Sequence, residues 1–275
     1  MTQQAELLDD APEWMGAESN PFSLDSIINA KMWTPQKIII YGVPGVGKTS
    51  FAATFPNPIL LRFEDGAGAV DCPTFPKVIE TLQEMNKAFQ ALRGKHSFKT
   101  VILDSLDWLE PLVWTYLCRK ENKDNIEAFG YGKGYTMLDG VWRNITAALD
   151  GLQKRGMNIV CICHAAAVTF DPPDSDPYMT YSLKLQKRAA AIWTEWADMI
   201  LFCNFHKNVV TANDNGKGKA YGNGDRVIYT ASRPAYTAKS RWPLPQEIFI
   251  GQDTTWKPFH EALSEVTDNA YTNEN

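Results

Sequence analysis

Gly42-Val43-Pro44-Gly45-Val46-Gly47-Lys48-Thr49, followed by Ser50, is the stretch on which the reading of this chain turns. It comes after Lys37-Ile-Ile-Ile-Tyr41, a β-branched run of strand length, and opens onto a short helical segment, Ser50–Thr54. Strand, glycine-rich turn and helix in that order fit the pattern G-x-x-x-x-G-K-[S/T], in which successive backbone N–H groups curl around an anion. Glycines permit the curl, and the following helix directs its positive end at the same point. Pro44 has no N–H, so it shapes the turn without donating. Lys48 adds an ammonium that bridges β- and γ-phosphates, and Thr49 adds a hydroxyl for a magnesium ion. The expected ligands are therefore ATP and Mg2+, with Gly42 to Ser50 as the binding segment.

Outward from this turn, Pro58–Phe63, Thr100–Asp104, Asn158–Cys163 and Met199–Cys203 are short apolar runs with little polar alternation, as in strands buried on both faces. Between them Ile79, Leu82, Met85, Phe89 and Leu92 recur at helical spacing. So do Leu138, Val141, Trp142, Ile145, Leu149 and Leu152, and Gly94 and Gly156 follow as stops. This alternation predicts an α/β fold with a mainly parallel central sheet flanked by helices. Lys207–Ala212, Arg226–Ala231 and Glu247–Ile250, around the glycine-rich 215–224, predict a C-terminal antiparallel hairpin extension.

Asp104 closes its strand, where an acid can hold Mg2+ through water or cap the helix Leu106–Lys120. Ser105 follows it, so the acid pair of the ordinary AAA+ strand is missing and a water-activating group must come from elsewhere. Glu64, closing Ile59-Leu-Leu-Arg-Phe63, is the catalytic candidate; a solvated loop acid is the alternative reading. His164, closing the next strand, has the same two readings, a phosphate sensor or a satisfied strand-end histidine.

A strand ending in Glu64-Asp65-Gly66, followed by Val-Ile-Leu-Asp104-Ser105, resembles the RecA-like P-loop NTPase core. The resemblance implies that Glu64 activates water and that His164, in place of the usual glutamine, senses the γ-phosphate. It also implies that Lys239 and Arg241, in Ala238-Lys-Ser-Arg241, act in trans on a neighbouring subunit's nucleotide within a head-to-tail homo-oligomer, ring or filament. With Phe129-Gly-Tyr-Gly-Lys-Gly-Tyr135, the pattern over about 35–250 is similar to phage-encoded AAA-type or RecA-like ATPases, some of which act in single-strand annealing or recombination. DNA-stimulated ATP hydrolysis is the activity so implied. Two alternatives stay open: a nucleotide-dependent adaptor with little turnover that recruits a single-strand-binding protein, and a small-molecule P-loop kinase.

The net charge of −5 conceals an asymmetry. Residues 1–20 hold five acids and no base and residues 261–275 four acids and no base, which leaves 21–260 at about +4. The expected organisation is an acidic tail at 1–20, one ATPase domain at 21–260 and an acidic tail at 261–275. Between His206 and Arg241, seven Lys or Arg stand against two acids, interleaved with Tyr221, Tyr229 and Tyr236. Cations neutralise phosphates and aromatic faces stack bases, so Lys217, Lys219, Tyr221 and Arg226 are candidates for single-stranded DNA, with a solvated hairpin as the alternative. Lys184, Lys187 and Arg188 are further candidates for DNA, the cations available to offset the acidic Asp171–Pro177, where the resemblance places a DNA loop. Five scattered cysteines make no disulfide framework, and no apolar run is long enough to span a membrane. The expected location is the cytoplasm, that of the bacterial host if the gene is a phage's.

Overall fold

The computed structural model describes residues 23–27, 34–66, 68, 70–206, 208–210 and 219–267; the expected tail at 1–20 lies outside them. The chain divides into two units, Met1–Trp33, with a 3-10 turn at Leu24–Ser26, and Thr34–Asn275. The second unit begins with β1 (Lys37–Gly42), α1 (Lys48–Ala52), β2 (Pro58–Arg62), α2 (Leu82–Leu92), β3 (Thr100–Asp104) and α3 (Leu106–Lys120). It continues with α4 (Lys133–Gln153), β4 (Asn158–Phe170), β5 (Tyr178–Leu183), α5 (Lys187–Trp196) and β6 (Met199–Phe205). A short ribbon of β7 (Asn208–Val210) and β8 (Lys219–Tyr221) precedes β9 (Arg226–Tyr229), β10 (Lys239–Ser240), β11 (Glu247–Gly251) and α6 (Lys257–Val266).

The main sheet runs β11-β9-β6-β1-β4-β3-β2, parallel from β6 to β2 and antiparallel at β9 and β11. Both expectations, a parallel centre and an antiparallel C-terminal extension, hold. Ile38 to Tyr41 are wholly buried because β1 lies between β4 and β6 and helices cover both faces, so no polar alternation survives in the sequence. Ile39, Tyr41, Leu61, Leu103 and Cys161 face a core built with α2, α3, α4 and α5. On the other face α1 and α6 meet through Phe51 and Phe259, whose ring centroids lie 4.9 Å apart. With α1 and α6 on one face of the sheet and α2 to α5 on the other, a crevice opens at the carboxyl ends of the central strands.

Three expectations need correction. The strand expected to end at Cys163 continues to Phe170, and the segment after His164 forms an antiparallel ribbon with β5, in which Ala166 opposes Ser182 and Phe170 opposes Tyr178. Only the acidic 171–177 remains as its tip. The expected acidic tail from 261 begins inside α6, where Leu263 is fully buried; Phe259, Leu263 and Val266 keep helical spacing that the charge count obscured. Tyr229 and Tyr236 are not free for bases, since their rings stack on Phe202 at 5.9 and 5.1 Å and Tyr236 is buried.

Candidate active site

The loop after β1 owes its shape to three glycines. Gly45 and Gly47 have φ of 77° and 95°, in the left-handed region that side chains disfavour. Gly42 is held for a different reason: a Cβ there would stand 2.0 Å from the Cys203 carbonyl oxygen of β6, its register partner. Gly42→Ala should therefore push β1 from β6 and lower unfolding free energy by about 3 kcal/mol, measured by urea denaturation. An unchanged midpoint would show that the strand pair yields without strain.

Register brings the other groups to the same end of the sheet. Gly42 pairs with His164 of β4, and Asp104 ends β3, two strands from β1. A cavity of about 310 Å³ there is lined by Gly45, Gly47, Lys48, Thr49, Ser50, Glu64, Asp104 and His164, among others. Every candidate from the sequence for catalysis and for metal binding therefore meets in one place.

Lys48 is buried and donates from Nζ to the carbonyl oxygens of Gly42 and Val43 at 3.3 and 3.1 Å. Burial pulls its ammonium below the ordinary lysine value, against the attraction of Asp104 and Asp107 among others. The Thr49 hydroxyl donates to Asp104 Oδ2 at 2.8 Å. Burial raises the Asp104 carboxyl, the Thr49 hydroxyl opposes that rise, and nearby Glu64 adds to it. An oxygen-only pair of hydroxyl and carboxylate fits a hard cation of the magnesium class, which completes its shell with water and phosphate oxygens. Ser105, not Asp104, stands at the N-cap of α3, which leaves Asp104 facing the cavity.

The sequence reading missed Asp107. It accepts from the His164 backbone N–H at 3.0 Å and from His164 Nδ1 at 2.9 Å, and Ser105 Oγ lies 2.9 Å away. Burial alone would raise this carboxyl, but the His164 hydrogen bonds outweigh it and bring it down to about 2. An ionised carboxylate only accepts, so His164 Nδ1 carries hydrogen and Nε2 donates to a phosphate only as the imidazolium. Ser105 Oγ also lies 3.3 Å from Glu64 Oε1, and one hydroxyl proton favours the shorter contact to Asp107. The signal was present in Asp104-Ser-Leu-Asp107, an acid in the first turn of a helix that starts at a site strand.

The remaining candidates are dispersed. Lys184 is exposed, with Nζ 3.9 Å from Asp107 Oδ2, and Lys187 is exposed at the start of α5. Arg188 is paired with Asp139. Lys217 lies outside the described residues, and Lys219 and Tyr221 are on β8. Arg226, expected on a DNA surface, donates instead from Nε to the Val46 carbonyl at 3.0 Å. Lys239 and Arg241 sit where β10 meets the first residues of β6, at the opposite end from the phosphate loop. Lys239 Nζ donates to the Thr194 carbonyl and Arg241 pairs with Asp198 at 3.2 Å.

The sequence matches the AAA domain family over residues 34–242. A protein of Bacillus subtilis (strain 168), the SPbeta prophage-derived uncharacterized protein YorG, is 29% identical over 137 residues, covering 47% of this chain and 41% of that protein. The chain thus matches about two fifths of that relative's length. The crystal structure of the RadB recombinase superposes with a TM-score of 0.44 at 12% identity, over 79% of this chain and 87% of that one. With a match that takes in more than half of the chain and a phosphate-loop cavity at the carboxyl end of its central strands, the protein belongs to the AAA domain family.

Proposed function

We propose that the chain binds ATP with Mg2+ and hydrolyses it, and that it acts on single-stranded DNA in phage recombination or annealing. The observation carrying the ATPase reading is the convergence of Lys48, Thr49, Asp104, Glu64 and His164 on one cavity. The loop amides and Lys48 hold the β- and γ-phosphates, and Lys48 exchanges its two carbonyl partners for phosphate oxygens. Thr49 and Asp104 would hold a magnesium ion, which would neutralise charge on the phosphates. The Glu64 carboxylate orients the attacking water and takes its proton. His164, held by Asp107, meets the γ-phosphate side through its second ring nitrogen.

The DNA part of the reading is supported by Lys184, an exposed cation beside the same Asp107 that holds His164, and by the prophage origin of the Bacillus subtilis relative. A polyanion drawing Lys184 away would change the charge around Asp107 and so reach the sensor. The test is ATP turnover with and without single-stranded DNA at two salt concentrations. Stimulation that weakens with salt is expected. Saturable ATP binding with a rate indifferent to DNA would sink the DNA part and favour the adaptor. Phosphoryl transfer to a nucleoside monophosphate would favour the kinase.

A further inference from the structure

We infer that Arg226 is a positioning residue of the phosphate loop, turning the Gly47 N–H toward the bound diphosphate; this rests on the nucleotide reading above. Arg226 Nε donates to the Val46 carbonyl at 3.0 Å. In a planar trans peptide the carbonyl and the following N–H point in opposite directions, so anchoring the Val46 oxygen aims the Gly47 N–H away from Arg226. Gly47 lines the cavity and Arg226 does not, so the anchored carbonyl lies on the outer side of the loop and the amide on the inner side.

The need for an anchor follows from the loop's own chemistry. Gly47, at φ of 95°, occupies a conformation that glycine reaches without cost but also leaves without cost. An amide in such a segment donates well to phosphate only if something outside the loop limits its freedom. Arg226 and Trp256 form that outer wall: a Cβ on Gly47 would lie 3.1 Å from the Trp256 ring and 3.7 Å from Arg226 Nε. The wall is itself fixed. Trp256 stacks on Phe51 of α1 at 4.6 Å and 18°, and Arg226 lies 5.9 Å from the Trp256 ring centroid. The Arg226 backbone pairs with Phe205 of β6 and Gly251 of β11.

Two electrostatic effects add to the geometry. A guanidinium on the carbonyl polarises the peptide and makes its N–H a stronger donor, and its charge attracts the phosphates across the loop. Both act on any nucleotide with a β-phosphate and on no feature of the base. The antiparallel extension is thereby part of the nucleotide site, since β9 supplies the anchor and the segment before α6 supplies the wall.

The test is ATP and ADP affinity for the full chain carrying Arg226→Lys, Arg226→Gln and Arg226→Met, with wild type alongside. Arg226→Met should weaken ATP and ADP alike, by about tenfold, with one site per chain retained. Arg226→Lys, which keeps a charged donor, should recover most of that loss, and Arg226→Gln should fall between. In turnover the loss should appear in KM more than in kcat, because the anchor acts on phosphate binding rather than on the attacking water. A purely packing role would reduce the number of sites or the melting temperature, and lysine would not rescue it. Wild-type affinity in the Met and Gln variants, or failure of lysine to restore it, overturns the inference. Absence of ATP and ADP binding by the wild type overturns the nucleotide reading itself, a result visible without any variant.

Discussion

Lys48→Ala is expected to lower ATP affinity by about 100-fold or more and to abolish turnover at ATP concentrations that saturate the wild type. The loss comes from removing a buried, charged hydrogen-bond partner of two phosphates, which water replaces poorly. The nucleotide-free protein should respond differently. Without ligand, Lys48 is a buried cation below its ordinary pKa, satisfied by two backbone carbonyls. Deleting it removes a desolvation cost along with those bonds, so the unliganded melting temperature should change little. The diagnostic result is a melting temperature that MgATP raises in the wild type and leaves unmoved in the variant. Equal protection of both proteins by MgATP would show that the loop does not bind phosphate.

Glu64→Gln should leave ATP binding nearly intact and reduce turnover by about 100-fold or more. Glutamine matches the shape of glutamate, and its amide oxygen can stand where Oε1 stands, 3.3 Å from Ser105 Oγ. What it loses is the ability to take a proton from water. Single-turnover measurement separates this from a binding defect: the nucleotide should be bound, then persist unhydrolysed. Normal turnover in this variant would return Glu64 to the status of a solvated loop acid. It would also move the search for the base to Asp107, which holds the other side of the Ser105 hydroxyl.

The phosphate loop was legible because its chemistry is local. Glycines, an ammonium and a hydroxyl act within eight consecutive positions, and the strand before them declares itself by three isoleucines. The strand-end groups Glu64, Asp104 and His164 were legible for a related reason: in a parallel sheet the carboxyl ends of all strands face one way, so sequence position translates into place. Asp107 escaped notice because its importance depends on the His164 ring, 57 residues away. Arg226 was misplaced because a basic, tyrosine-dotted stretch reads as a DNA surface, whereas register turns its guanidinium onto the Val46 carbonyl.

The linear order of residue types was enough to determine a glycine-rich phosphate-loop turn after a buried strand, a parallel sheet with helices on both sides, and the carboxylates that face the turn. Those features depend on neighbours in sequence or on the common polarity of parallel strands. Folding alone decided that β4 runs on into a ribbon, that α6 closes over α1, and that Asp107 and Arg226 join the cavity's support. Each of these depends on pairing or stacking between segments far apart in the chain, through contacts such as the Phe51–Trp256 stack that no local pattern encodes.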